Sequence, residues 1–374
     1  MQTLLIVDDD PQICAGLAVA LEARGRDIIV CRDFEAAQMV VERYPLTHVI
    51  TDIKFTGPFR FEGLEVVDLV KRYVSTASVI VMSGHVTTEL RAEAHARGAA
   101  AVLSKPFALE AIERLLPAPP SDLPGTVTFV PTIDEIIEGD LLAPLFQPLV
   151  WTENPTYAVG FEALTRLRSN SLFAEPETLF RYAMAKGRVV DLELAAAERS
   201  LGMGRWLSRI GILSLNVHPV LFASADRFSD SIMQSCLSAG VSPDRVVLEI
   251  TEQAPLPDVD AVEAVTAIMR SHGFRFAFDD VGSAYSHLRA IAAVRPAYLK
   301  ISQRFGTACE GSDLNRKIVE NVAALGRSFS SEVVLEGIET EETATFAREL
   351  GIRFGQGFLY GRPTDTSTLL AKYS

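Results

Sequence analysis

The sequence of 374 residues predicts an α/β fold in two parts, a doubly wound parallel sheet followed by a closed barrel of strands and helices. Two patterns support this interpretation. The first 117 residues alternate short apolar strands with amphipathic helices, which is typical of a doubly wound sheet. Between residues 157 and 336, successive strand-like apolar runs each stop at an acid, an amide or a lysine. This is expected of barrel strands whose carboxyl ends form an active face.

The predicted strands of the first part are TLLIV, DIIVC, THVITD, ASVIVMS and AAVLS. Ligands of doubly wound sheets bind at the carboxyl ends of the strands, which here carry Asp8 and Asp9, Asp52, Ser83 and Lys105. Three neighbouring carboxylates repel one another unless a cation lies among them, and Mg²⁺ suits such a site. Asp52 is then a candidate nucleophile toward a phosphoryl group, with Ser83 and Lys105 available to bind its oxygens.

The segment PAPPSDLPGT, residues 117–126, predicts a domain boundary because prolines and a glycine interrupt the pattern. Proline-rich segments behave as stiff spacers. We therefore expect a first domain at residues 1–117, a linker at 118–130 and a second domain at 131–374. Two domains also agree with the length of the chain, which exceeds what one hydrophobic core normally serves.

Composition excludes several classes of protein. The net charge of −13 disfavours non-specific binding to nucleic acid or to an anionic membrane. No apolar run approaches the ~18 residues of a membrane span, and the start MQTLLIVDDD is acidic where a secretory signal would be basic. We therefore expect a cytoplasmic protein without membrane insertion. The four cysteines lack the spacing of a zinc site and are expected to be reduced structural thiols.

The predicted barrel strands are YAVGFEAL, ILSLNV, RVVLEI, RFAFDD, AYLKI and EVVLEG. The chemistry-bearing residues near their ends are Glu162, Asn216, Glu249, Asp279, Asp280, Lys300 and Glu336. Adjacent Asp279 and Asp280 would point in opposite directions in a regular strand, so at least one is expected in the following turn. Carboxylates and an amide on one rim suit a pair of hard cations, which can bind a phosphodiester and stabilise its leaving oxygen. Lys300 can orient the attacking water or neutralise charge on the phosphate.

Residues 3–116 resemble the flavodoxin-like receiver domain of two-component response regulators. The motifs are VDDD after the first strand, TD ending the third, MSG ending the fourth and SKPF after the fifth. The resemblance implies that Asp52 accepts phosphate from a histidine kinase, that Asp8 and Asp9 help to bind one Mg²⁺, and that Ser83 and Lys105 respond to the phosphorylated state.

Two features depart from the pattern of that family. The loop KFTGPFRFEG after Asp52 looks longer than usual, with Thr56 and Arg60 at the places of the customary proline and glycine. The position of the family's aromatic switch residue holds Val102. Because valine has no ring to rotate, we expect phosphorylation to act through the loop from Lys54 to Gly63 or through a rearranged dimer.

The motif GFEALTR is followed by SLNV, LEITE, FAFDDVGSAYSHL, LKIS, VLEGIET and GQGFLYGRP, with FQPLV before it. Over roughly residues 133–370 these motifs resemble the EAL family of cyclic-di-GMP phosphodiesterases. The resemblance implies a modified TIM-type (β/α)8 barrel, two Mg²⁺ or Mn²⁺ ions and hydrolysis of cyclic di-GMP to linear pGpG. It also implies a homodimer or a higher homo-oligomer.

The resemblance implies a role for each matching position. The residues at metal-binding positions are Glu162, Asn216, Glu249, Asp279, Asp280 and Glu336. The residues at catalytic positions are Glu336, Lys300 and Gln356. The residues at substrate-binding positions are Leu164 and Arg166, and the acids that support neighbouring loops are Glu252 and Glu339.

Two functions compete for the second domain. The first is a phosphodiesterase controlled by phosphorylation of Asp52, and the alternative is a catalytically weak or inactive domain that senses cyclic di-GMP or contacts a protein partner. Degenerate members of the family usually lose the residues equivalent to Glu162 or Glu336, and this chain retains both, which favours the enzyme. The segment from Val281 to His287 departs from the family pattern, and Ser302 stands where the family commonly has an aspartate. Both differences bear on the rate of turnover. A DNA-binding regulator is excluded because the chain lacks a basic recognition helix.

Overall fold

The computed structural model describes residues 2–22, 25–55, 61–118, 125–168, 172–251, 258–282, 288–308 and 312–373. The chain divides into two compact units. The first consists of Met1–Leu141 and Ser169–Val189, and the second of Leu142–Arg168 and Val190–Ser374. A segment that the sequence analysis assigned to the second domain, residues 169–189, thus packs with the first unit.

The first unit is a parallel sheet with helices. Its described strands are β1 (Gln2–Val7), β2 (Arg26–Cys31), β3 (His48–Asp52), β4 (Ser78–Ser83), β5 (Ala101–Ser104) and β6 (Val127–Phe129). Its described helices are α1 (Pro11–Leu21), α2 (Phe34–Arg43), α3 (Glu62–Tyr73), α4 (Thr88–Ala96), α5 (Leu109–Glu113), α6 (Ile133–Glu138) and α7 (Pro176–Ala185). The strand order β5-β4-β3-β1-β2-β6 confirms the predicted flavodoxin-like, doubly wound fold.

Aspartates begin two of the helices that leave the carboxyl edge of this sheet. The Asp10 carboxylate accepts hydrogen bonds from the backbone N–H groups of Gln12 and Ile13, at the start of α1. Asp33 accepts one from the backbone of Ala36, at the start of α2. Such caps satisfy N–H groups that have no partner inside the helix. They fix the acidic loops at the same edge of the sheet as the end of β3.

Part of the predicted linker pairs with the sheet of the first unit. Residues Val127–Phe129 form β6, which lies parallel to residues 28–30 of β2. Helix α6 then begins after a capping box in which Thr132 and Glu135 exchange hydrogen bonds. Residues 119–124 of the proline-rich segment lie outside the described part of the chain.

The second unit is a closed barrel. Its described strands are β7 (Leu145–Trp151), β8 (Ala158–Leu164), β9 (Ile212–Val217), β10 (Val246–Thr251), β11 (Arg275–Val281), β12 (Tyr298–Ile301), β13 (Glu332–Leu335) and β14 (Phe354–Gly355). Its described α-helices are α8 (Val189–Gly204), α9 (Ala225–Ala239), α10 (Val259–Ser271), α11 (Leu288–Val294), α12 (Gln303–Ala308), α13 (Asp313–Phe329), α14 (Glu341–Glu349) and α15 (Thr366–Tyr373). Short 3₁₀ helices span Leu207–Arg209, Pro219–Ser224 and Pro243–Arg245. Strand β7 is antiparallel to both of its neighbours, β8 and β14, so the predicted modified TIM-type barrel is confirmed.

Apolar side chains fill one layer of the barrel interior. They are Leu149, Ile212, Val247, Ala277, Tyr298, Val334 and Phe354. Side chains of a strand alternate between its two faces, so the residue two positions nearer the carboxyl end lies on the same face one layer up. Those positions hold Ser214, Glu249, Asp279, Lys300, Glu336 and Gln356. Five of these six residues were predicted as site residues, all except Ser214, and they lie in a layer directly above a packed apolar floor. Among the residues described, no helix combines the length and the apolar character that crossing a membrane requires.

Candidate active site

The ammonium group of Lys300 lies among four carboxylates of the polar layer. Its Nζ atom is 2.6 Å from Glu249, 2.8 Å from Glu336, 3.1 Å from Glu162 and 3.3 Å from Asp279. The acids come from β8, β10, β11 and the segment after β13, while the lysine comes from β12. The structure thus brings together five residues that the sequence analysis placed at the ends of separate strands.

Two amide side chains hold Glu162 in place. Asn216 Nδ2 donates to Glu162 Oε1 at 2.9 Å, and Gln356 Nε2 donates to Glu162 Oε2 at 2.7 Å. Burial opposes the ionisation of Glu162, but Lys300 and the two amides outweigh it and hold its pKa below the ordinary value. Gln356 also donates to Gln147 Oε1 at 3.0 Å. Gln147 was not predicted as a site residue, although it lies in the FQPLV motif that resembles the EAL family.

If the remaining carboxyl groups were all ionised, they would carry more negative charge than one lysine can balance. Burial, opposed by Lys300 and reinforced by neighbouring carboxylates, raises the pKa of Glu249 to about 8 and that of Asp279 to about 6. The pKa of Glu336 is also raised well above its ordinary value, by burial and by Asp279. Burial disfavours the charged form of Lys300, yet the surrounding acids raise its pKa well above the usual range. The site therefore favours the binding of further positive charge.

Strand β11 departs from regular geometry where its two aspartates lie. The pairing with β12 shifts between Phe278 and Val281, and Asp280 has a φ of 58°, in the left-handed region. The backbone N–H of Asp280 donates to Asp279 Oδ1 at 2.9 Å. The prediction that at least one of the two aspartates lies in the following turn is therefore wrong, because both belong to β11. Side chains of adjacent residues in a regular strand diverge, and this irregularity changes the direction of Asp280 relative to Asp279 instead.

The other candidate residues lie around this rim. Arg166 is half-buried and its guanidinium donates to the Thr165 carbonyl at 2.8 Å; burial lowers its pKa, while Glu162 opposes that shift. Leu164 is partly buried at the end of β8, and Glu339 is exposed between β13 and α14. Glu252 and residues 283–287 of the altered segment lie outside the described residues.

The donor set fits divalent cations that prefer oxygen ligands. Carboxylates and an amide are the ligands that Mg²⁺ and Mn²⁺ take in proteins. In this arrangement the carboxylates turn toward Lys300, and within the described ranges no three acid, histidine or cysteine side chains surround a point that could hold a metal ion. Asp279 and Glu336 are the most exposed of the four acids, at 15% and 14%, and mark the open side.

In the first unit, Lys105 bridges two of the predicted acids. Its Nζ lies 2.7 Å from Asp8 Oδ2 and 2.6 Å from Asp52 Oδ1. The second oxygen of Asp52 accepts a hydrogen bond from the backbone of Lys54 at 2.8 Å. Burial raises the pKa of Asp8 although the bond from Lys105 opposes it, and burial also raises the pKa of the exposed Asp9. The structure therefore places Asp8, Asp52 and Lys105 in one site.

Ser83 lies at a pocket of about 510 Å³ beside Asp52. Its hydroxyl donates to the His85 carbonyl at 3.0 Å and accepts from the His85 backbone N–H at 3.1 Å. The pocket is also lined by Lys54, Phe61 and Leu90, with acidic side chains of α4. Residues 56–60 of the unusual loop lie outside the described part of the chain. The pocket leaves room for a phosphoryl group next to Asp52.

Two known domain families match this chain. Residues 132–363 match the EAL domain family, and residues 4–116 match the response regulator receiver domain. The chain belongs to the EAL domain family. A receiver domain precedes its EAL domain, as the motifs predicted.

Curated relatives of this EAL protein act on cyclic di-GMP. It is 30% identical to the bifunctional diguanylate cyclase/cyclic di-GMP phosphodiesterase MucR of Pseudomonas aeruginosa, over 63% of this chain and 35% of MucR. It is 28% identical to the cyclic di-GMP phosphodiesterase PdeL of Escherichia coli, over 43% of this chain and 44% of PdeL. It is 27% identical to the cyclic di-GMP phosphodiesterase RocR of P. aeruginosa, over 70% of this chain and 69% of RocR. The chain thus spans less than half the length of MucR and PdeL, and about two thirds of RocR.

Solved structures of EAL proteins resemble the second unit. The MucR phosphodiesterase in complex with cyclic di-GMP matches with a TM-score of 0.58 and 27% identity, over 63% of this chain and 97% of that one. BlrP1 of Klebsiella pneumoniae, in complex with manganese and cyclic di-GMP, matches with a TM-score of 0.54 and 27% identity, over 60% of this chain and 57% of BlrP1. BlrP1 has also been solved with calcium and cyclic di-GMP.

Proposed function

We propose that this chain is a two-component response regulator that hydrolyses cyclic di-GMP to linear pGpG with two Mg²⁺ or Mn²⁺ ions, under control of phosphorylation at Asp52. The observation that carries the proposal is the buried rim of Glu162, Glu249, Asp279 and Glu336, four carboxyl groups that share a single lysine. The bound ligands of the MucR and BlrP1 structures support cyclic di-GMP as the substrate.

The proposed metal ligands are Glu162, Asn216, Glu249, Asp279, Asp280 and Glu336. When bound, the ions would polarise the phosphodiester and lower the pKa of an attacking water molecule. The water oxygen bonds to phosphorus, the bond from phosphorus to one sugar oxygen breaks, and that oxygen takes up a proton. Glu336 is suited to accept the proton of the water on a carboxylate oxygen, because it lies on the open side of the rim.

Polar neighbours position this machinery. Gln356 fixes the orientation of Glu162, and Lys300 holds four carboxylates within ion-pair distance of one nitrogen. Arg166 is proposed to bind a substrate phosphate, and Leu164 to contact the substrate beside it. Glu252 and Glu339 are proposed to support neighbouring loops, as the family resemblance implies.

In the receiver domain, we propose that Asp52 accepts a phosphoryl group from a histidine kinase. Asp8 and Asp9 would hold the Mg²⁺ that accompanies the transfer, together with Asp52. Lys105 already contacts Asp52 and is suited to bind a phosphoryl oxygen, while Ser83 would have to release its bonds to His85 to do the same. These residues give the phosphoryl group charge-assisted hydrogen bonds.

The test of the proposed activity uses the purified full chain, cyclic di-GMP and a measurement of pGpG formation with and without Mg²⁺. We expect hydrolysis that requires the ion. Calorimetry on the same samples measures binding separately. Binding without pGpG formation at any Mg²⁺ concentration would support the alternative function, a cyclic-di-GMP sensor or interaction module.

A further inference from the structure

Helix α7 belongs to the EAL match by sequence but packs against the receiver domain. It lies at Pro176–Ala185, inside residues 132–363, yet it is part of the first compact unit. The Tyr182 hydroxyl donates to Asp33 Oδ2 at 2.6 Å, and both side chains are buried. Lys186, just after α7, places its ammonium 3.1 Å from Glu35 and 3.7 Å from Asp33. These residues define a docking site for α7 at the junction of β2 and α2.

Apolar packing and further ion pairs extend this docking site. The ring of Phe173 stacks on that of Tyr182, with centroids 4.9 Å apart and an angle of 18° between the planes. Both rings are almost fully buried. Pairs of opposite charge surround them: Arg43 with Glu175, Arg181 with Glu42, and Arg188 with Asp134. A buried hydroxyl bonded to a carboxylate has a defined geometry, so this contact is specific as well as apolar.

The docking site is connected to the phosphoacceptor by consecutive contacts. Asp52 binds Lys105, and Lys105 binds Asp8. The backbone N–H of Asp8 donates to the Cys31 carbonyl at 3.3 Å. Two residues later, Asp33 uses one carboxylate oxygen to cap α2 and the other to accept the Tyr182 hydroxyl. A phosphoryl group on Asp52 that draws Lys105 away from Asp8 therefore perturbs the strand end that carries the docking site.

On its other side, α7 is connected by short chain segments to the barrel elements that bear the active site. Pro176, the first residue of α7, follows Arg166 by ten positions, and Arg166 follows Glu162 at the end of β8. Helix α8 begins at Val189, three positions after Lys186. A shift of α7 on the receiver therefore acts on a substrate-binding position through the chain itself.

We propose that the α7 docking site, formed by Asp33, Glu35 and the start of α2, is the surface through which the receiver domain controls the EAL site. The inference rests on the proposed function, since it names the regulation of that same site. In this proposal α7 has two arrangements, one docked on the receiver domain and one loosened from it. Phosphorylation of Asp52 shifts the equilibrium between them, because the phosphoryl group interacts with a different free energy in each arrangement. This relay needs no rotating aromatic residue at Val102.

The test uses the full chain and four proteins: parent, Tyr182→Phe, Tyr73→Phe and Asp52→Asn. Tyr73 is an exposed residue at the end of α3 and controls for loss of a tyrosine hydroxyl in the same unit. Acetyl phosphate with Mg²⁺ is the donor: its phosphoryl group bonds to an Asp52 oxygen and acetate leaves. Hydrogen exchange of the amides of residues 176–185 is measured alongside the ratio of hydrolysis rates with and without donor.

In the parent and in Tyr73→Phe, we expect the donor to change both the exchange of α7 and the hydrolysis rate, and in Asp52→Asn to change neither. In Tyr182→Phe, exchange of α7 should be about tenfold faster without donor, because a hydrogen bond to a charged acceptor is lost. Its rate ratio should return toward one. The inference would be overturned if the donor left the hydrolysis rate of the parent unchanged. It would also be overturned if Tyr182→Phe matched the parent both in the ratio of hydrolysis rates with and without donor and in the hydrogen exchange of α7. If no protein hydrolyses cyclic di-GMP, the proposed function fails, and the exchange of α7 with and without donor still decides whether it responds to Asp52.

Discussion

The ammonium nitrogen of Lys300 lies 2.6 Å from a carboxylate oxygen of Glu249, and the two side chains are only 3% and 4% exposed. Burying an ion pair costs desolvation energy, which is recovered only when geometry and further partners are favourable. Lys300 has those partners in Glu162, Asp279 and Glu336. It therefore acts as the cation that holds the rim together when metal ions are absent.

Replacing Lys300 by methionine should destabilise the metal-free protein, because four buried carboxylates lose their common counter-charge. Breaking such a cluster by removing one partner costs about 3–5 kcal/mol of unfolding free energy. Urea denaturation in a chelator measures the loss, and Mg²⁺ should restore part of it. Lys317→Met, on the exposed side of α13, is the control and should change stability by less than about 0.5 kcal/mol. Equal stability of Lys300→Met and parent in chelator would contradict this view of the lysine.

Gly306 allows α12 to approach the backbone of Glu336. A Cβ atom added at Gly306 would lie 1.8 Å from the Glu336 carbonyl oxygen, so one of the two segments has to move. We expect Gly306→Ala to lower the rate of hydrolysis about a hundredfold, because a displacement near 1 Å at a catalytic group has that effect. Gly202→Ala, in α8 with no neighbouring atom within 4 Å, should keep the parent rate. Equal rates for the two variants would show that the approach does not position Glu336.

Stability should depend on pH through Glu193, a buried acid of α8 that accepts a hydrogen bond from the backbone of His218. Burial raises its pKa from 4.5 to about 8. The folded state therefore binds a proton that the unfolded state has released, and the stabilisation is complete below the unfolded pKa and is lost as pH rises through the folded pKa. The slope should reach about 1.4 kcal/mol per pH unit.

Denaturation followed by the fluorescence of Trp151 and Trp206, both in the second unit, measures this slope between about pH 5 and pH 8. Glu193→Gln should make the profile less steep by the contribution of Glu193, while Glu249 and Asp279, whose pKa values burial also raises, keep their own contributions. Glu198→Gln, at an exposed position of the same helix, should keep the slope of the parent. If Glu193→Gln had the same slope as the parent, Glu193 would not titrate as its burial predicts.

Calcium should support substrate binding but lower the rate of hydrolysis. Its larger radius and looser coordination fit poorly at closely spaced sites for smaller cations. The measurement compares pGpG formation and cyclic-di-GMP binding with Ca²⁺ or Mg²⁺ as the only divalent ion. Full activity with Ca²⁺ alone would argue against a metal pair tuned to Mg²⁺ or Mn²⁺.

The ends of the strands could be predicted from sequence because parallel strands have simple rules. A buried strand reads as an apolar run, and its last inward residue meets the equivalent residues of its neighbours. Glu249, Asp279 and Lys300 therefore belong to one layer, and each lies two positions after an apolar residue of the layer below. The same reasoning expected at least one of Asp279 and Asp280 in the turn after the strand, and this was wrong, because both lie within β11 and a local irregularity of the strand separates their directions instead.

The partners of Lys300 and of α7 could not be predicted in this way. The sequence predicts that Lys300 acts on water or phosphate, whereas the structure shows which four acids share its charge. The amphipathic pattern of α7 indicates a buried face but not the surface that covers it. The bond from Tyr182 to Asp33 joins residues 149 positions apart, and no local pattern encodes such a pairing.

The central claim is that the acids at the carboxyl end of the barrel perform the chemistry. The most direct test compares pGpG formation by the parent, Glu336→Gln and Glu332→Gln with Mg²⁺ present. Glu332 begins β13, pairs with Arg353 and lies at the opposite end of the strand that leads to Glu336. We predict that Glu336→Gln forms no measurable pGpG while remaining folded, and that Glu332→Gln matches the parent. Parent-like hydrolysis by Glu336→Gln would contradict the proposed site.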